Sequence, residues 1–253
     1  MNNQATTDKM KEMKLGGMYR AFKETFGSSL HESLTPDELI AHLIDAEWDW
    51  RYNRKLERLI KKASFRYRAR MEEIDFSSGR NIDKNTLLRL AGCEWINKAE
   101  NLIITGATGA GKSFITCALG HAACTHKLSV RYANCMKLFA HLKIAKADGS
   151  YLREMKHLQK QDLVIIDDFG LKPLDAENRL VLLELMEDRY GLKSTIISSQ
   201  VPVNKWFDVI GDPTIADAIC DRLVHNAHTI NLKGGSMRKA HAKNSGRNLP
   251  HRD

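Results

Sequence analysis

Gly106-Ala-Thr-Gly-Ala-Gly-Lys-Ser113 fits GxxxxGK[ST] at every fixed position, and its flanks restrict the fold more than any other segment. A short apolar run, Leu102–Thr105, leads in, and a helical run, Phe114–Cys124, leads out. A strand that enters a glycine-rich turn and opens straight into a helix aims backbone N–H groups and the positive helix end at one point. That point suits phosphate oxygens. In this pattern Lys112 reaches the β- and γ-phosphates and Ser113 offers its hydroxyl to Mg²⁺. Gly106, Ala107, Thr108, Gly109, Ala110, Gly111, Lys112, Ser113 and Phe114 are therefore the expected nucleotide-binding residues, with ATP and Mg²⁺ as cofactors.

The surrounding text supports that context. Apolar strands are expected at Leu102–Thr105, Val130–Ala133, Leu163–Asp167, Thr195–Ser198 and His228–Leu232, with helical stretches between them. Strands alternating with helices imply an α/β fold with a five-stranded parallel sheet flanked by helices. Leu163-Val-Ile-Ile-Asp-Asp168 reads as a buried strand ending in two acids. The carboxyl ends of such strands carry the chemistry of open α/β sheets. Asp167 would hold Mg²⁺, directly or through water, and Asp168 would orient the attacking water.

A smaller, all-helical unit is expected ahead of the sheet. Thr35-Pro-Asp-Glu38 is a helix start, with a capping hydroxyl, a first-turn proline and an acid three residues after the cap. Leu39, Ile40, Leu43, Ile44, Trp48, Leu56, Leu59 and Ile60 continue it at helical spacing. Upstream, residues 1–34 read as a short helical opening interrupted at Gly16-Gly17. Between Arg51 and Arg70 stand nine cations, among them Arg51, Arg54, Lys55, Arg58, Lys61, Lys62 and Arg66, against the single acid Glu57. That excess of +8 equals the net charge of the whole chain. Like charges at helical i,i+4 spacing repel, so so one-sided a face points to a polyanion such as duplex DNA. The expected division is 1–70 helical and basic, 71–98 a linker with a lead-in helix over Asn85–Trp95, 99–235 the ATPase unit, and 236–253 a flexible basic tail. Lys233, Arg238, Lys239, Lys243, Arg247 and Arg252 make a second basic stretch.

Other classes fall away. No apolar run reaches the roughly 20 residues that span a bilayer, and the N-terminus lacks a signal-peptide core. Cys93, Cys117, Cys124, Cys135 and Cys220 are odd in number and contain no CxxC pair, which argues for isolated thiols in a reducing cytoplasm.

These motifs together resemble the AAA+ branch that holds the initiator DnaA, the helicase loader DnaC and, most similar, the IstB family of insertion-sequence ATP-binding helpers. Leu34-Thr-Pro-Asp-Glu-Leu, Glu47 with its arginine-rich follow-on, Ile74-Asp-Phe, the P-loop, Val164-Ile-Ile-Asp-Asp-Phe-Gly, Ser194-Thr-Ile-Ile-Ser-Ser-Gln-Val-Pro and Asp221-Arg-Leu carry the resemblance over roughly residues 30–235. It implies that Ser199 or Gln200 senses the γ-phosphate. It also implies that Arg222 completes the ATP site of a neighbouring subunit, the alternative being an ion pair to Asp221 or Asp217. Arg189-Tyr190 recurs in the pattern, with its role open between subunit contact and structure. The resemblance further implies no full C-terminal helical lid, and an extra helical segment over Asn134–Leu158 facing DNA. Lys137, Lys143, Lys146, Arg153 and Lys156 lie there against Asp148 and Glu154. Asp168 stands where many relatives of this branch carry the longer Glu, which implies slow hydrolysis.

An arginine acting between subunits implies a head-to-tail homo-oligomer, either ring or helical filament. The expected function is an ATP-dependent regulator of transposition. It would assemble on duplex DNA with little sequence preference, recruit a transposase and disassemble on hydrolysis. The alternative is a DnaC-like helicase loader. A small-molecule kinase would leave the basic helix and Arg222 without a purpose.

Overall fold

The computed structural model describes residues 3–28, 30–76, 81–234 and 237. The chain forms two compact units, Met1–Arg58 and Leu59–Asp253. The division falls inside the long helix α3 (Pro36–Ala63), upstream of residue 70.

In the first unit, α1 (Asn3–Glu12) and α2 (Gly16–Gly27) precede the start of α3. Gly16 and Gly17 do not merely interrupt a helix; they open α2. A Cβ on Gly17 would lie 2.2 Å from the Ala46 carbonyl oxygen, so only glycine lets α2 begin this close to α3. The Gly17 and Met18 N–H groups donate to Glu47 Oε2 at 2.8 and 3.1 Å. A carboxylate of one helix thus satisfies the free N–H groups that start another. Burial alone would raise the Glu47 pKa. The two N–H donors, with Arg51 Nε at 2.6 Å, hold it below the usual carboxylate value. The helix start at Thr35 forms as expected. Thr35 N–H donates to Glu38 Oε2 at 2.8 Å, and Glu38 N–H donates back to Thr35 Oγ1 at 3.3 Å.

In the second unit, α4 (Lys84–Ala91) and α5 (Glu94–Asn97) lead into the sheet. The expected single helix over Asn85–Trp95 is therefore two. Asp83 caps the first through the Asn85 and Thr86 N–H groups, and Cys93 adopts a left-handed φ of 63° that breaks the helical path.

The strands are β1 (Asn101–Gly106), β2 (Val130–Asn134), β3 (Leu163–Phe169), β4 (Ser194–Ser199) and β5 (Ala227–Leu232). They pair in parallel in the order β2-β3-β4-β1-β5. β1, β3 and β4 are buried on both faces, which is why they read as continuous apolar runs rather than alternating ones. Between the strands run α6 (Lys112–Thr125), α7 (Cys135–Ala147), α8 (Tyr151–Gln159), α9 (Ala176–Arg189), α10 (Trp206–Ile210) and α11 (Pro213–Val224). Because β1 and β3 flank β4, the segments that leave these three strands converge at one end of the sheet. That end is a topological switch point.

All five cysteines are free, and burial pushes the Cys93 and Cys117 thiols up to about 11 and those of Cys124 and Cys135 to about 12. Among the described residues no helix is long and apolar enough to cross a membrane. The expected tail lies outside the described residues apart from Met237.

Candidate nucleotide site

The loop between β1 and α6 takes the shape its glycines permit. Gly106, Gly109 and Gly111 have φ of 148°, 85° and 96°. A Cβ on Gly106 would also meet the Leu232 carbonyl oxygen at 2.5 Å, so β5 packs against the loop only because that side chain is missing. Lys112 is buried, and its Nζ donates to the Gly106 and Ala107 carbonyls at 2.7 and 3.0 Å.

A cavity of about 650 Å³ opens over this loop. Thr108, Gly109, Gly111, Lys112, Ser113 and Phe114 line it, while Ala110 is buried beneath. Asp168 from β3 and Gln200 from the end of β4 reach the same cavity. The opposite wall is one that sequence reasoning missed. Tyr67 comes from the end of the stretch that reads as helical and basic, and Glu73, Ile74 and Asp75 from the stretch that reads as linker. The Tyr67 ring lies 6.4 Å from that of Phe114. Ile74-Asp75 was visible as part of the family pattern, but its polar surroundings gave no periodicity to place it. Met237, from the stretch read as a flexible tail, also lines the cavity and donates its N–H to the Gly109 carbonyl at 3.0 Å.

The two acids at the end of β3 differ in surroundings. Asp167 is fully buried; Tyr132 Oη donates to its Oδ2 at 2.5 Å and Ser198 Oγ donates to its Oδ1. Asp168 sits in a register shift between β3 and β4 and has a φ of 61°. That left-handed bend is uncommon outside glycine. Its Oδ2 accepts from Asn134 Nδ2 at 3.0 Å and Arg66 Nη1 at 3.1 Å. Asn134 also caps α7, its Oδ1 accepting from the Lys137 N–H.

Ser199 and Gln200 are now separated. Ser199 is buried, donates to the Phe169 carbonyl and accepts from Val201 N–H, so it turns away from the cavity. Gln200 faces it and accepts from Thr108 Oγ1 at 2.5 Å. Among the described residues no group of three or more His, Cys, Asp or Glu side chains could hold a metal. A hydroxyl, one or two nearby carboxylates and bound phosphates are instead what Mg²⁺ ordinarily uses; Ser113 and Asp168 share the cavity lining and fit it, while Asp167 is buried behind that lining.

Arg66 is exposed like the cations of α3 but differs from them in its partners. It follows the helix end, pairs with Asp168 and lies 3.7 Å from Asp167 Oδ2, so the structure puts it in the site. Arg51, Arg54, Lys55, Arg58, Lys61, Lys62, Lys143 and Arg153 are exposed. Of these, Arg51 pairs with Glu47, Arg54 stacks over Trp50, and Arg153 meets Glu154 at 3.5 Å.

Arg189 is fully buried and structural. It donates to the Leu158, Gln159, Gln161 and Ser194 carbonyls and to Thr195 Oγ1, pinning the end of α8 to the start of β4. Burial pushes its guanidinium down to about 9. Tyr190 beside it is exposed. Arg222, near the end of α11, is absent from the cavity lining of its own chain. It pairs with Glu187 Oε1 at 2.9 Å, not with Asp217 or Asp221.

Residues 8–245 match the family model described as IstB-like ATP binding protein. An insertion sequence ATP-binding protein of Sinorhizobium fredii is 46% identical over 240 residues, covering 95% of this chain and 98% of that one. The fold is similar to that of the DnaC helicase loader, with a TM-score of 0.55 and 18% identity over 66% of this chain and 98% of that one. It is also similar to AMPPCP-bound DnaA from Aquifex aeolicus, with a TM-score of 0.59 and 14% identity over 74% of this chain and 58% of that one.

Proposed function

The chain belongs to the IstB-like ATP binding protein family, and we propose that it is an ATP-dependent assembly factor for transposition of an insertion sequence. ATP-bound protomers assemble on duplex DNA through phosphate contacts, present that DNA to a transposase, and separate on hydrolysis. The observation that carries this reading is the single cavity that gathers the P-loop, Asp168 and Gln200 while Arg222 stands outside it. An arginine outside its own site is available to a neighbour's. The exposed cations of α3, with Lys143 and Arg153, are the DNA-contacting candidates.

Within the cavity, Lys112 and the loop N–H groups hold the phosphates. Ser113 lines the cavity and would hold Mg²⁺, with the fully buried Asp167 behind the lining reaching it directly or through water; the ion would offset phosphate charge. Asp168 accepts a hydrogen bond from the attacking water, and Gln200 fixes that water or the γ-phosphate. Aspartate reaches less far than glutamate, which suits a slow, timer-like ATPase in a head-to-tail ring or filament.

Complementation between two inactive variants tests the shared site. Arg222→Ala keeps its own P-loop and should lose ~10³-fold in turnover. Lys112→Ala keeps Arg222. In an equal mixture about a quarter of random head-to-tail interfaces join an intact P-loop to an intact arginine, so ATP turnover should reappear. A mixture no more active than its parts contradicts an arginine acting between subunits.

A helicase loader is the second reading. Ile40, Ile44 and Trp48 form an exposed apolar stripe along α3 at i,i+4 spacing, which suits protein docking. Retention of a purified replicative helicase, rather than a transposase, on the immobilised protein would favour it.

A further inference from the structure

Arg222 is held at both ends. Its backbone carbonyl accepts from Asn101 Nδ2 at 3.1 Å. Its guanidinium is fixed twice. Nη1 donates to the Ala218 carbonyl, one turn back along α11, at 2.8 Å, and Nη2 donates to Glu187 Oε1 at 2.9 Å. A guanidinium carries five N–H groups. The other three have no partner among the described residues, and the side chain is 28% exposed.

The carboxylate that holds Arg222 stands on a rigid mount. Glu187 lies two residues before Arg189, at the end of α9. Arg189 Nε donates to Thr195 Oγ1 at 3.2 Å, and the Thr195 N–H donates to Asn101 Oδ1 at 2.9 Å. Asn101 then returns to the Arg222 carbonyl. The contacts thus close a circuit from the Arg222 backbone through β1, β4 and α9 to the Arg222 guanidinium. Asn101, Thr195 and Arg189 are all buried, and a buried, satisfied polar network rigidifies what it joins. Glu187 itself is exposed, so its ion pair with Arg222 contributes little to stability. Its value lies in what it orients. A guanidinium ordered before it meets a phosphate loses less side-chain freedom on docking.

We propose that Glu187 is a positioning residue for the shared ATP site: it holds the Arg222 guanidinium in the orientation from which that group meets a neighbouring protomer's ATP phosphates. The circuit through Asn101, Thr195 and Arg189 keeps Glu187 in place for this. The inference rests on the reading that Arg222 completes a neighbour's site.

The test adds Glu187→Ala to one or the other chain in the equal mixture of Lys112→Ala and Arg222→Ala proteins, and reads ATP turnover. On the Lys112→Ala chain, which supplies the arginine, it should lower the recovered turnover about fivefold. On the Arg222→Ala chain, which supplies the P-loop, it should change nothing, because no arginine remains there to hold. Glu187→Gln on the arginine-supplying chain should restore most of the loss, since its amide oxygen still accepts from Nη2. An equal loss on both sides marks a structural glutamate and overturns the inference. So does an undiminished turnover with Glu187→Ala on the arginine-supplying side, or a Glu187→Gln chain no better than Glu187→Ala. A parent mixture that recovers no turnover sinks the shared-site reading itself, and this inference with it.

Discussion

Lys112→Ala should weaken ATP binding severely and every ATP-dependent step with it. The side chain is buried at the mouth of α6, within hydrogen-bond reach of the loop carbonyls of Gly106 and Ala107. It is the one lysine lining the nucleotide cavity, so no described neighbour in that lining can replace its charge toward a phosphate except Arg66, which already meets Asp168. Charge-assisted hydrogen bonds contribute about 1.5–3 kcal/mol each. Losing two such bonds to ATP should weaken affinity by ~100-fold or more, as read by titration calorimetry. Circular dichroism of the same sample separates this loss from misfolding. Tight ATP binding by a folded Lys112→Ala protein would remove the P-loop from the account.

Asp168→Asn should do the opposite to assembly. The amide keeps the size of the side chain and one acceptor oxygen, so Asn134 or Arg66 can still donate to it. What it loses is the negative charge that attracts a water proton. Removing a group that handles the proton in the transition state typically costs 10²–10⁴-fold. The variant should therefore bind ATP and DNA, turn over ATP at least ~100-fold more slowly, and stay assembled. Turnover like that of the wild type would show that another group orients the water.

Much of this was legible in the chain, for identifiable reasons. A buried parallel strand is a run of apolar residues, and Leu163-Val-Ile-Ile166 can be little else. The Thr35–Glu38 helix start is a local chemical pattern and forms locally. What escaped the sequence depends on contacts between distant segments. Arg66 belongs to the same charge run as Lys62, and only the turn after Ala63 brings it to Asp168. Tyr67, Ile74 and Asp75 form a cavity wall, yet they have neither helical nor strand periodicity. The break between α4 and α5 rests on a left-handed cysteine, which no propensity favours. Arg189 offers the plainest case. A conspicuous arginine invites a surface role, but it is buried among backbone carbonyls that the sequence cannot show to be near.

ATP is expected to set how long a protein–DNA complex lasts. The most direct measurement is the mass of the wild-type protein with short duplex DNA, taken by light scattering with and without a non-hydrolysable ATP analogue and followed after chase with ATP. The expected result is a multi-protomer complex on DNA that needs the nucleotide, persists with the analogue and falls apart with ATP as hydrolysis proceeds. A complex of the same mass and lifetime in the absence of nucleotide would contradict it.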